Sequence, residues 1–231
     1  MSHYNFQEGA TILVDKPLHW TSFDAVNKIR WNLKQALKIK KIKVGHAGTL
    51  DPLATGLLVI CTGKNTKLIE GFTNVSKTYT GTFLLGKTTP SFDLETKYDK
   101  EFEISHITQE LMEEVRLTFM GEQLQRPPIF SAKLIDGKRA YDLARAGKNI
   151  EMKQNTITIE SFKINTERFP EIDFEISCSK GTYIRSIASD FGQKLNAGAT
   201  LIALRRTHSG DFSIENSKTV EEWINFLNES L

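Results

Sequence analysis

Cysteine is scarce in this chain of 231 residues: Cys61 and Cys178 stand far apart, each inside an apolar or strand-like stretch. They read as two buried, reduced thiols rather than a disulfide framework. No run of about 18 apolar residues occurs, so nothing is expected to span a membrane. Met1–Ala10 is polar, carries Glu8 and lacks a basic stretch followed by an apolar one, so it does not read as a secretory signal. A cytoplasmic location is expected. No His/Cys/Asp cluster with ligand spacing is found, and no metal is expected. Net charge is small, +2, so global basicity does not mark a nucleic-acid partner. Internal repeats, low-complexity segments and linker-like composition are absent too, which predicts a single domain over residues 1–231. Nothing suggests an exposed apolar oligomer face, and a monomer is expected.

What is present is an ordinary globular composition, 39% hydrophobic and 25% charged, long enough to bury a core. The charge is unevenly placed. From Lys28 to Lys67 there are nine cations, and the only acid is Asp51. Acids gather instead between Asp93 and Glu114. A basic stretch around one carboxylate suits a polyanion brought to a catalytic acid, and equally suits a solvated Lys-rich helix end and loop.

Periodicity predicts strands at Thr11–Asp15, Leu57–Thr62, Lys77–Leu85, Thr156–Asn165, Ile172–Ser177 and Thr200–Arg206. It predicts helices capped at Thr21 or Ser22, over Lys64–Phe72, Ile107–Met120, Arg139–Ala146, Tyr183–Leu195 and Val220–Leu231. The first helix has an apolar face through Phe23, Val26, Leu33 and Leu37, broken at Arg30. Gly45–Gly56 reads as a loop, and Thr88–Ser105 as a mobile acidic loop. Strands and helices lack a regular βαβ rhythm, and several strands alternate cleanly. The expected class is α+β: a mixed, largely antiparallel sheet flanked by helices and loops.

Asp51 sits in Gly45-His46-Ala47-Gly48-Thr49-Leu50-Asp51-Pro52-Leu53-Ala54-Thr55-Gly56. Glycines before the acid permit tight turns and close approach to a ligand, and Pro52 fixes the backbone after it. Taken alone, an aspartate capping a turn explains it as well.

The segment as a whole closely resembles the catalytic motif of the TruB-type tRNA pseudouridine 55 synthases. Five further blocks resemble that family in its order. They are Leu13-Val14-Asp15-Lys16-Pro17 with Thr21-Ser22; Lys77-Thr78-Tyr79 with Leu84-Leu85-Gly86; Gln125-Arg126-Pro127-Pro128 with Phe130-Ser131-Ala132 and Gly137 to Arg145; Cys178 to Ser186; and Leu204-Arg205-Arg206-Thr207. The resemblance covers residues 13 to 207 and implies a pseudouridine synthase catalytic fold.

It implies that Asp51 is the catalytic aspartate and that Arg185 is its ion-pair partner. Tyr79 is implied to stack on the target uracil and Lys16 to support the active-site loop. His46 is implied to fill the space left by flipped bases. Leu204 is implied to line the uracil pocket and Tyr183 to contact the active-site nucleotide. Without the resemblance, Arg185 reads as helix-surface charge, Tyr79 as a packed strand residue, Lys16 as a strand-end lysine and His46 as a turn residue. Lys133, Lys138, Arg139 and Arg145 either line a phosphate-facing groove or are solvated. The implied substrate is the T-arm stem-loop of tRNA, and no cofactor is expected because the isomerisation is redox-neutral.

Two departures stand out: Leu134 occupies a place where the family has lysine, and no C-terminal PUA-type module is expected after the catalytic blocks. Two other classes fit these residues less well. A pure RNA-binding module leaves Asp51, Tyr79 and Arg185 without a job. A nucleoside or glycoside hydrolase lacks a persuasive acid pair.

Overall fold

A computed structural model describes residues 4–131, 134–135, 138–139 and 152–230. In chain order the elements are β1 (Thr11–Lys16), α1 (Ser22–Ala36), β2 (Val44–Ala47), β3 (Ala54–Thr62), a 3-10 helix (Gly63–Leu68), α2 (Ile69–Thr73), β4 (Lys77–Leu85), β5 (Lys87–Thr88), β6 (Lys100–Glu101), α3 (Gln109–Leu117), β7 (Gly121–Gln125), β8 (Leu134–Ile135), β9 (Lys138–Arg139), β10 (Asn155–Asn165), β11 (Glu171–Cys178), α4 (Ile184–Lys194), β12 (Ala199–Ser209), β13 (Phe212–Ser213), β14 (Lys218–Thr219) and α5 (Val220–Ser230). The chain forms two compact units, residues 1–79 with 204–231, and residues 80–203.

In the first unit β3 is the organising strand. Its apolar run is buried almost throughout, as expected for a strand covered on both faces. One edge pairs antiparallel with β1 from Gly56 to Cys61. The other edge is shared, with β2 antiparallel beside Val59–Thr62 and the Leu204–Arg206 part of β12 parallel beside Ala54–Gly56. A parallel β14 completes the far side of β1. Helices α1 and α5 cover this sheet through Ala25, Ile29, Leu33, Val220, Trp223 and Leu227, packed with Ile12, Val14, Leu58 and Ile60. The indole N–H of Trp223 donates to the Leu13 carbonyl at 2.8 Å, so the ring is buried without losing its hydrogen bond.

Thr21 starts α1 with a reciprocal capping box: its hydroxyl accepts from the Asp24 N–H at 3.0 Å, and Asp24 accepts from the Thr21 N–H at 2.8 Å. The buried face keeps Val26 and Leu33 of the predicted one and departs from it at Phe23. It runs through Ser22, Ala25, Val26, Ile29, Asn32 and Leu33, while Phe23 is 60% exposed. The small residues Ser22 and Ala25 let the helix approach the sheet, and the larger Phe23 turns outward beside Arg30.

The second unit is built on strands in the order β4-β11-β10-β7, with β10 antiparallel to both neighbours. Its core is aromatic: Phe83 stacks on Phe174 with ring centroids 4.2 Å apart, and Phe119, Phe162 and Phe191 close around them. Ile172, Phe174 and Ile176 are buried in alternation, as their spacing predicts. The α+β class with a mixed, largely antiparallel sheet is therefore what the structure has. Among the described residues no helix is long and apolar enough to cross a membrane.

Several boundaries move. Gly45–Gly56 is not one loop, because β2 runs to Ala47 and β3 starts at Ala54. Lys64–Phe72 begins as a 3-10 helix before α2. The acidic segment 88–105 contains the β5–β6 ladder and a buried polar knot: the Ser91 hydroxyl lies 2.7 Å from that of Thr96, and Thr89 donates to the Asp93 carbonyl at 2.6 Å. Hydroxyl-to-backbone bonds, invisible to a hydrophobic pattern, hold it. Arg139 ends strand β9, and the rest of the helix expected there lies outside the described residues, with Lys133 and Arg145.

Candidate active site

The segment Gly48 to Leu53 connects β2 to β3 and carries Asp51. Its backbone is fastened at successive residues. The Ser22 hydroxyl, at the start of α1, accepts from the Leu50 N–H at 2.8 Å and donates to the Leu50 carbonyl at 3.1 Å. His19 donates its N–H to the Pro52 carbonyl at 2.8 Å. The Asp51 carbonyl accepts from the Ala54 N–H at 3.0 Å, closing a turn under the acid. Arg206 donates from Nη2 to the Gly48 carbonyl at 2.9 Å. Bonds from two remote stretches of sequence, residues 19–22 and Arg206, therefore fix the half-buried Asp51 far more firmly than a solvated loop aspartate would be.

Arg206 is a residue the sequence reading quoted but gave no role. It is fully buried, and besides Gly48 it binds the Leu57 carbonyl through Nε at 2.8 Å. One guanidinium thus ties the main chain on both sides of Asp51. Gly56 makes this possible. Its φ is +102°, and a Cβ there would stand 2.3 Å from the Arg206 carbonyl oxygen and 2.8 Å from its nitrogen. Only glycine allows β3 and β12 to approach so closely. The signal that could have flagged Arg206 is the two-residue strand period, which puts it on the same side as Leu204.

Lys16 ends β1 opposite Gly56. It is not a surface lysine: it is fully buried, and its ammonium donates to the Pro17 carbonyl at 2.9 Å and the Trp20 carbonyl at 2.6 Å. Burial lowers its pKa to about 8, the Asp51 charge opposes that fall, and Arg206 adds to it. Lys16, Asp51 and Arg206 thus form one electrostatic cluster. On the neighbouring register, Asp15 takes a bidentate pair from Arg205, with contacts of 2.6 and 3.1 Å.

His46 lies on β2 opposite Ile60. Its Nδ1 is buried and has no hydrogen-bond partner among the described residues. Burial first, then the Arg206 charge, lowers its pKa, so the ring is neutral at pH 7. Tyr79 is buried on β4 and shares a face with Lys77, whose ammonium donates to the Thr73 and Val75 carbonyls, both at 2.6 Å. Leu204 is half-buried and pairs with Ala54 at the start of β3.

In the second unit, Arg185 sits in the first turn of α4 and is only 4% exposed, so it is not helix-surface charge. Its Nη1 donates to the Phe130 carbonyl at 2.9 Å, and its Nε lies 3.5 Å from the Asp93 carboxylate. Tyr183 precedes that helix as its N-cap. Its backbone is clamped by Gln125, which accepts from its N–H at 2.8 Å and donates to its carbonyl at 3.0 Å. Neither Asp93 nor Gln125, which opens one of the family-like blocks, has a site role on sequence alone. Asp93 lay in a segment read as a mobile loop.

Residues 34–184 match the TruB family pseudouridylate synthase N-terminal domain. Relatives named tRNA pseudouridine synthase B are similar along the whole chain. The protein of Phocaeicola vulgatus is 52% identical over 97% of this chain and 96% of its own length. That of Flavobacterium johnsoniae is 52% identical over 94% and 95%, and that of Chlorobium chlorochromatii 42% over 94% and 84%. Among solved structures, the crystal structure of a Cbf5-Nop10-Gar1 complex superimposes with a TM-score of 0.71 at 26% identity over 96% of this chain. The chain spans 55% of the length of that structure's chain.

Proposed function

Since the chain belongs to the TruB family of pseudouridylate synthases, we propose that it converts uridine to pseudouridine at position 55, in the T-loop of tRNA, with Asp51 as the catalytic carboxylate. The observation that carries the reading is the likeness, over 94–97% of the chain, to relatives named tRNA pseudouridine synthase B. The fastened loop around Asp51 supports the choice of acid.

The reaction breaks the N1–C1′ bond, turns the uracil and joins C5 to C1′. The proton on C5 is lost and N1 gains one, so the product is an isomer and no electron acceptor or cofactor is needed. A T-loop uridine must leave its stack to meet an acid seated at a strand junction. Asp51 then acts either as nucleophile toward sugar or base, or as the group that stabilises positive charge at C1′ and takes a proton. In both routes a carboxylate held by its own backbone saves the cost of ordering it during the reaction. Tyr79 stacks on the uracil, Leu204 forms an apolar wall, and neutral His46 fills the place left by the flipped bases. Lys16 holds the segment leading into α1, Tyr183 contacts the nucleotide and Arg185 is the ion-pair partner of the acid. The enzyme works as a monomer in the cytoplasm.

The test is incubation with an unmodified tRNA transcript, followed by nucleoside mapping. Pseudouridine confined to the T-loop is the expected product. Free uracil, or product elsewhere only, rejects the assignment. Asp51→Asn binds the transcript and forms no product; turnover by that variant moves the chemistry to another residue.

A further inference from the structure

We infer that the outer face of α1 is a second RNA-contact surface, where Trp31 stacks on an unpaired base and Lys28 holds the adjoining phosphate. The inference rests on the reading of RNA as substrate.

Trp31 is 58% exposed and closes a surface groove of about 430 Å³ lined by Trp20, Asp24, Asn27, Lys28 and Trp31. Three- and four-residue spacing puts Asp24, Asn27, Lys28 and Trp31 on one stripe of the helix. An indole with an open face beside an ammonium offers a nucleotide both a stacking surface for its base and a charge for its phosphate.

Lys28 lines the groove itself, and the charge of the segment that carries it favours a polyanion. Between Asp24 and Asp51 there is no acid, while Lys28, Arg30, Lys34, Lys38, Lys40, Lys41 and Lys43 supply seven cations. The carboxylate of Asp24 is engaged by the backbone N–H and hydroxyl of Thr21. The groove also begins beside the loop that carries the acid. The carbonyl of Trp20 accepts from Lys16, and Ser22, two residues on, binds both backbone groups of Leu50. RNA that delivers a uridine to Asp51 therefore has neighbouring nucleotides within reach of this stripe.

The test measures binding of an unmodified tRNA transcript in an Asp51→Asn background, where no turnover intervenes. Adding Trp31→Ala weakens binding about tenfold, and adding Trp31→Phe preserves most of the affinity. Adding Lys28→Ala lowers the slope of log affinity against log salt by about one. Because Trp31 lies outside the core, the unfolding midpoint of each variant stays unchanged. Equal affinity of the Trp31→Ala protein overturns the inference. So does a change of oligomeric state in sedimentation with RNA affinity unaltered, which would assign the groove to a protein partner. Nucleoside mapping with the unsubstituted protein separates the two readings. Absence of pseudouridine sinks the proposed function, whereas its presence with unchanged affinities sinks only the groove.

Discussion

Replacing Lys16 by methionine removes a charge from a dry site while keeping nearly the same volume, and its consequence depends on pH. The ammonium titrates at about 8 in the folded chain against an ordinary lysine value of 10.5, chiefly because it is buried. Below about pH 8 both states carry the proton, and the folded protein bears the full cost of the buried charge. Between about 8 and 10.5 the unfolded chain holds a proton that the folded chain has released, so stability rises with pH. The gap corresponds to about 3 kcal/mol over that window. Methionine also leaves the Pro17 and Trp20 carbonyls without their donor, a loss of about 1–3 kcal/mol. That loss is nearly constant with pH, because a neutral amine still has two hydrogens to give. Urea unfolding of both proteins, followed by far-UV circular dichroism at steps from pH 7 to pH ~10.5, separates the two contributions. Other groups titrate alike in both proteins and cancel in the difference. The unsubstituted protein should gain about 3 kcal/mol on the variant across the window. If the two free energies run parallel, Lys16 is not held as a desolvated cation and the electrostatic cluster with Asp51 and Arg206 is wrongly drawn.

Gly56→Ala places a methyl group against the Arg206 backbone and strains a positive φ, costing about 3 kcal/mol or more, measured as a fall in urea midpoint. Arg206→Lys cannot reach the Gly48 and Leu57 carbonyls together. It should cost about 2–4 kcal/mol and slow single-turnover pseudouridine formation more than about tenfold. Arg206→Met removes the charge that adds to the effect of burial in lowering the His46 pKa, and should move the His46 proton-NMR titration to higher pH. Ser22→Ala breaks both bonds to Leu50 and should cost about 1–2 kcal/mol in thermal or urea unfolding.

The sequence was most readable where burial follows a period. Strands β1, β4, β10 and β11 alternate or run apolar, and α4 and α5 show a clear apolar face, so their positions were predicted within a few residues. It was least readable where backbone and polar side chains make the structure. Short β2 was hidden by Gly45 and His46. The 91–96 knot depends on Ser and Thr hydroxyls in a stretch of acidic composition. For the site, the family motifs directed attention to Lys16, His46, Asp51, Tyr79, Tyr183, Arg185 and Leu204. Arg206 and Ser22 escaped because an arginine in a strand and a serine in a cap both read as ordinary until their partners, 158 and 28 residues away, are known.

Those partners share one property. Lys16 donates to the carbonyls of Pro17 and Trp20, and Arg206 to those of Gly48 and Leu57. A carboxylate partner would position a buried cation and cancel its charge in the same stroke. A carbonyl dipole positions it without cancelling it. Each of these cations can therefore brace a turn and still contribute positive potential around Asp51, the one acid of the segment from Lys28 to Lys67. The cost of burying charge without full neutralisation appears directly in the lowered pKa values of Lys16 and His46. A domain selected for stability alone gains nothing from such an arrangement, since apolar residues of the same volume would serve as well. One that must draw a phosphodiester chain toward a single carboxylate does gain, because the field survives where the polyanion has to approach.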